Sequence, residues 1–446
     1  MSRLRSARAG SASLLAAGRA TVSVLATCVG RLLPVLVCVP WTARSAQAVP
    51  DATLWVVQPP GEIVAFDVGR FERIGGIRLP AEAYRDPTRL AINGVGQILA
   101  PLDERRLWLW DGRAARVLPT TSDGTTGPSR GARRIADEPR QWLLGDDGIS
   151  LVVLESVATD SAEPSAGAES LIIVREMSLD QQPRDTIATW RLQHCECEIP
   201  LVTLTEPCPG PRLYAPGGVV RGSLAIVWWE RDTTLWREKG TAALGRCNLS
   251  RLVRQPSGWR ELTDWSNGEL PLDLAANGAS LLLDPDDGCC GWSNGSTDRV
   301  LYSSPETSVV VFDEWRRFRN SGYDVSFRAA SARLSPDSRR VATTIVGTSA
   351  AAEEIQLSAD GHADSLELGG IRRALASLPL VIVTAHSGPG GETLELPHTE
   401  VVGWVSEREL IVLQGRELVA VDVVTRRMRS TGIRVRSAAD AIVARR

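Results

Sequence analysis

Lysine is almost missing from this chain. Lys239 is the only one, so nearly all of the 50 basic residues are arginine. That bias is expected of a GC-rich, bacterial genome and does not mark arginine chosen for phosphate. Long basic runs are missing as well, and the net charge is −3, a balance that attracts neither nucleic acid nor an acidic membrane surface. There are four histidines, His194, His362, His386 and His398, and none sits in a nucleophile elbow, a metal-binding helix motif or a triad context. No C-x-x-C pair is present, which argues against a thiol–disulfide catalyst. The glycine-rich "AHSGPGGETLEL" has no lysine and no following helix to make a phosphate loop, and is expected to be a hairpin turn. A sustained 3.6-residue apolar period is nearly absent too, which excludes a helical bundle.

What the chain does have begins with a leader. Arg3, Arg5 and Arg8 precede apolar stretches from Ser13 to Ala17 and from Thr21 to Trp41, and then "SAQAVP". This is the layout of a secretory signal peptide over 1–48, with small Ala46 and Ala48 placed for cleavage after Ala48. Arg31 and Pro34 interrupt the apolar run, so a permanent anchor is the weaker reading. "LATC", ending at Cys28, fits a lipoprotein acylation site poorly because Thr27 precedes the cysteine. The expectation is a mature chain starting at Val49, periplasmic or extracellular, with no integral membrane segment.

Residues 49–446 are expected to form one all-β domain. Short apolar runs such as "TLWVV", "EIVAFDV", "QILAPL", "RLWLWDG", "SLIIVREMSL" and "TSVVVFDEW" alternate with polar turns. The groups return roughly every 40 to 60 residues, a period that suggests propeller blades. Counting them gives a single six- or seven-bladed β-propeller; tandem β-sandwiches are the alternative. Loop excursions are expected near 120–134, 158–170 and 353–379, the last holding a short helix in "GIRRALASL". Ring closure is expected to place Thr53 to Val57 in one sheet with strands between Glu409 and Val435.

"ARLSPDSRRVATTI", from Ala332 to Ile345, resembles the strand–turn–strand signature of the Tol-type and WD-like propeller repeats. Ser335, Pro336 and Asp337 match the repeat's turn, and Ser338 stands where a glycine is usual. "LAINGVGQILAP" is a degenerate version, with Asn93, Gly94, Val95 and Gly96 at the turn. The resemblance implies the fold and carries no function with it. The Tol family's separate amino-terminal α/β domain has no room here, since strands begin just after the leader.

Beyond the leader, Cys195, Cys197, Cys208, Cys247, Cys289 and Cys290 form an even set in a chain sent to an oxidising compartment, so disulfides are the default. Cys289 and Cys290 are neighbours and cannot close on each other at ordinary geometry. Cys195 and Cys197 project to one face of an extended strand. The preferred pairing bridges those two to Cys289 and Cys290, and leaves Cys208 with Cys247. A four-thiolate metal site built from Cys195, Cys197, Cys289 and Cys290 is the rival.

Asp284, Asp286 and Asp287 before Gly288 make a weak calcium candidate; Pro285 and the lack of a distal glutamate favour a plain turn. Carboxylate pairs such as Glu353 with Glu354 and Asp313 with Glu314 are read as solvated surface. Of the 14 tryptophans, Trp55, Trp108, Trp110, Trp228 and Trp404 lie in expected strands as core. Trp259, Trp265, Trp292 and Trp315 lie nearer loops, where indole rings anchor protein or sugar ligands. With no catalytic motif and no cofactor implied, the sequence points to a monomeric, non-enzymatic propeller that binds a protein or glycan through its loop face. The alternative is a propeller-fold carbohydrate hydrolase or lyase with its groups converging at the central channel.

Overall fold

The computed structural model describes residues 52–83, 90–103, 106–119, 141–158, 169–193, 196–198, 205–207, 211–231, 245–262, 270–285, 298–304, 308–313, 327–347, 376–385 and 393–445. They form a seven-bladed β-propeller. In the first blade the innermost strand is Ala441–Arg445, followed outward by Ala52–Gln58, Glu62–Asp67 and Arg73–Arg78. The second blade is Ala91–Ile92, Ile98–Pro101, Arg106–Trp110 and Ala115–Pro119. The third is Gln141–Gly145, Ser150–Ala158, Glu169–Ser178 and Pro183–Gln193, and the fourth Arg212–Tyr214, Ser223–Arg231, Gly245–Gln255 and Gly258–Leu262. The fifth is Leu270–Leu274, Ser280–Pro285, Asp298–Ser303 and Ser308–Asp313. Phe327–Leu334, Arg340–Gly347, Leu380–Ala385 and Thr393–Pro397 make the sixth, and Thr399–Trp404, Glu409–Gln414, Glu417–Asp422 and Arg427–Arg434 the seventh.

Each blade is a chain of antiparallel hairpins, as short alternating runs with tight turns dictate. The turn between the first two strands recurs in the second, fifth and sixth blades. Asn93 N–H donates to the Gln97 carbonyl (3.2 Å) and Gly96 N–H to the Asn93 carbonyl (3.1 Å). The same pair of bonds ties Ala275 to Ala279 and Gly278 to Ala275. In the sixth blade Ser338 N–H donates to Ser335 O (2.8 Å) and Arg340 N–H to Ser335 Oγ (2.9 Å). Gly96 and Gly278 hold φ of 85°, and Ser338 holds 57° in the same place, so this serine adopts the left-handed backbone that favours glycine.

Apolar clusters fill the seams between blades. Leu54, Val56, Ile411 and Leu418 pack where the seventh blade meets the first, and Ile63, Ile92, Ile98 and Trp108 where the first meets the second. Val381, Trp404 and Leu410 join the sixth to the seventh. The seam between the fourth and fifth blades is tied by polar groups. Arg251, 1% exposed, donates to Ser280 Oγ (2.8 Å) and to the carbonyls of Gly278 and Ser303 (both 3.2 Å). Ser223 Oγ donates to the Ala275 carbonyl (2.7 Å), and Tyr214 donates to the Leu272 carbonyl.

Closure takes a different strand from the one the sequence suggests. Ala52–Gln58 pairs with Ala441–Arg445, Leu54 opposite Val443, while the strands between Glu409 and Val435 build the neighbouring seventh blade. "AIVAR" is a five-residue run behind the Ser437–Asp440 turn, too short to stand out as the inner strand of a blade. The fourth blade is also irregular. Its innermost strand stops at Tyr214, turns through Pro216–Gly218, and resumes as Val219–Val220 in parallel pairing with the third blade's Leu144 and Gly145. A small hairpin, Glu196–Glu198 with Thr205–Pro207, belongs to none of the blade sheets. Among the described residues no helix is long and apolar enough to cross a membrane.

Candidate functional site: an arginine-lined channel

A cavity of about 440 Å³ opens along the axis of the ring, between the innermost strands. Leu90 and Ile92, Asp273, Ser331 and Arg333, Glu400 to Trp404, and Ala441 to Val443 with Arg445 line it from five blades. Pro216, Gly217 and Arg221, from the break in the fourth blade, and Thr344 and Val346, from the second strand of the sixth, also line it. Its charged groups are grouped. Asp273 and Arg333 are the next-to-last residues of their strands, Arg445 is the last of its strand, and Arg221 follows directly after Val219–Val220. Glu400 sits near the opposite, amino-terminal end of its strand.

Asp273 is buried, and both of its oxygens are engaged by backbone. Oδ2 accepts from Leu334 N–H at 2.6 Å, across the seam to the sixth blade, and Oδ1 accepts from Leu274 N–H at 2.9 Å. Burial pushes its carboxyl above the usual range; Arg333, those two N–H groups and Arg445 oppose the push. Burial lowers Arg221 to about 10, with repulsion from Arg445 adding to it, while Asp273 and Asp146 pull the other way. Burial likewise lowers Arg445, against the attraction of Asp273. Arginine keeps its charge at neutral pH even so, which makes this end of the channel cationic.

None of the three guanidiniums is within ion-pairing distance of a carboxylate among the described residues. Arg333 Nη1 donates to the carbonyls of Ala332 (3.0 Å) and Leu272 (3.2 Å). Arg221 Nε and Arg445 Nη1 are shut away from solvent and have no hydrogen-bond partner. Buried polar groups are ordinarily satisfied, so two orphaned donors at one cavity need a reason. Tyr214 stands beside the site, its hydroxyl bonded to Leu272; burial, then Asp273, raise its pKa, and Arg333 opposes them.

Few of the residues that the sequence singles out are among the described ones. Cys195, Cys208, Cys289, Cys290, Asp286, Asp287, Trp265, Trp292 and Trp315 fall outside the described residues, as do His194, His362 and His386 and the cores of the three loop excursions. Cys197 lies opposite Glu206 in the small hairpin, and Cys247 opposite Trp229 in the fourth blade. Asp284 is within the strand Ser280–Pro285 and not in a turn. Trp259 belongs to an outer strand of the fourth blade, half-buried, with the Arg254 guanidinium 5.9 Å from its ring centroid. Trp108, Trp228 and Trp404 are buried as expected, and Trp404 Nε1 donates to the Arg333 carbonyl at 3.0 Å. His398 occupies the turn between the sixth and seventh blades, with φ of 56°. The arginines of the channel escape sequence reading because arginine is everywhere in this chain and their strands are far apart in it.

No protein-family model matches the chain, and no curated protein matches it. Solved structures of similar form include apo AztD from Citrobacter koseri, 9% identical, TM-score 0.38, covering 88% of this chain and 95% of that one. A protein from Lactobacillus plantarum is 13% identical with TM-score 0.38, covering 85% and 94%. The Cps50 (Swd1) β-propeller domain of Myceliophteria thermophila is 12% identical with TM-score 0.33, covering 85% and 91%. Likeness at this level says nothing of what this chain binds.

Proposed function

We propose that this protein is an exported, non-enzymatic β-propeller, with repeats of the Tol-type or WD-like kind, that holds a protein or glycan ligand at the mouth of its channel. Its place of work is the periplasm or the extracellular space, reached by removal of residues 1–48. Disulfides from Cys195 and Cys197 to Cys289 and Cys290, and from Cys208 to Cys247, belong to the same reading. The observation that supports a binding role is the state of Asp273. Its two oxygens accept Leu274 and Leu334 N–H, and three guanidiniums line the same cavity. A glycosidase needs two carboxyl groups flanking the scissile bond, one of them free to donate a proton.

The hydrolase alternative keeps one point in its favour, since Glu400 lines the same cavity as Asp273. Two measurements test the reading. The native amino terminus, sequenced by mass spectrometry, is expected at Val49, and a retained Met1 overturns the export claim. Incubation of the protein with acidic and neutral polysaccharides is expected to give retention without release of reducing ends; release that disappears in Glu400→Gln overturns the non-enzymatic claim.

A further inference from the structure

We propose that the arginine-lined end of the channel is a binding site for a carboxylate-bearing ligand, gripped by Arg221, Arg333 and Arg445. This rests on the binding-module reading above and gives it a ligand chemistry. The first support is the imbalance of charge: three cations meet one buried anion at one end of a cavity, and that anion forms no ion pair with them. Like charges brought together out of water repel, and Arg445 does repel Arg221 here. A fold retains such an arrangement when something of opposite charge relieves it.

Hydrogen bonding supplies the second support. Arg221 Nε and Arg445 Nη1 are buried donors without acceptors. Asp273 does not serve them: its oxygens accept the N–H groups of Leu274 and Leu334, and neither guanidinium reaches them. A guanidinium presents its donors as a planar fork that matches the two oxygens of a carboxylate. Room is the third. At about 440 Å³ the cavity falls within the roughly 300–1,000 Å³ of ordinary small-molecule sites. Leu90, Ile92, Val401 and Val443 give it an apolar wall for a ligand's carbon frame. The acid can be a free polycarboxylate or a uronic acid carried on a glycan, and the chemistry at the arginines is the same.

Isothermal titration of the purified full chain separates these sources. The probes are tricarballylate, trigalacturonate, the neutral galactotriose and inorganic phosphate. One or both carboxylate probes are expected to bind, galactotriose and phosphate much more weakly. Binding of tricarballylate alone assigns a free acid, and of trigalacturonate alone a glycan-borne one. Arg221→Gln and Arg445→Gln should each weaken the bound acid by roughly ten-fold or more, while Arg434→Gln, exposed on the outer edge of the seventh blade, should not. Because each Gln variant removes one of two repelling charges, its melting temperature should equal or exceed that of the parent. Should either variant fail to fold, Arg221→Lys keeps the charge and loses the fork, and it should also bind less tightly.

Equal binding of galactotriose and trigalacturonate overturns the carboxylate site but leaves a glycan-binding propeller standing. Tighter binding of phosphate than of either acid, or no binding of any acid, overturns it as well. Cleavage of trigalacturonate overturns the binding-module reading instead.

Discussion

The innermost strand of the sixth blade runs through Phe327–Leu334 without a break and turns at Ser335 into its partner. Its counterpart in the fourth blade lasts three residues, Arg212–Tyr214, before the chain swings through Pro216–Gly218 to the third blade. The reason is local. Pro216 has no N–H to give a ladder, and Gly217 and Gly218 take φ of 60° and 71°, where other residues are strained. Gly218 also lies against the second blade, where a Cβ would meet that of Ala91 at 2.7 Å. The sixth blade shows how the ring is built by repetition. The fourth shows how a departure from repetition delivers a side chain, Arg221, to the axis.

Four substitutions test that contrast. The largest effect is expected at the polar seam of the fourth blade. Arg251→Ala strips donors from two carbonyls and a hydroxyl in a buried place and should cost about 4 kcal/mol in urea unfolding. Gly218→Val, which puts a branched side chain at positive φ and against Ala91, should cost about 3 kcal/mol and weaken ligand binding at the channel with it. A cost under about 0.5 kcal/mol would mean that the break is not a fixed feature.

Asp273→Asn sharpens the link between the fifth and sixth blades. It leaves one of the two backbone N–H groups without an acceptor, for about 1 kcal/mol near neutral pH. Because burial raises the Asp273 carboxyl, the stability tied to its protonated form is present in acid and is lost as pH rises through the folded value. The stability of the parent relative to the Asn variant should therefore fall as pH rises from the ordinary carboxyl range of about 4; urea midpoints in acid and at neutral pH check the sign. The smallest effect is expected in the regular blade. Ser338→Gly relieves a left-handed serine and should stabilise the protein by less than about 1 kcal/mol, a shift for calorimetry to resolve.

How much of this was legible in the sequence follows the same division. The alternating runs and the Ser335–Ser338 turn are local, so the strands and the propeller repeat could be read from them, to within a choice of six or seven blades. Register and partner are not local. The pairing of Leu54 with Val443 joins distant parts of the chain through a short strand, and the sequence pointed instead to Glu409 to Val435. Asp273 sits in "LPLDLA", an ordinary strand pattern, and Arg221, Arg333 and Arg445 are three among dozens of arginines. Only the closed ring brings them to one place. The segment with Asp284, Asp286, Asp287, Cys289 and Cys290, by contrast, stands out in the sequence because its unusual residues are contiguous.

Arg445 lies in the carboxy-terminal strand that completes the first blade, and four of that strand's five residues also line the channel, so the clasp of the ring and one wall of the channel are largely the same residues. Thermodynamic linkage then runs both ways. Any anion held by Arg445 at the axis adds its binding free energy to the hold of Ala441–Arg445 on Ala52–Gln58, and anything that loosens that strand drains affinity from the channel. Occupancy of the site becomes a gauge of whether the circle is shut.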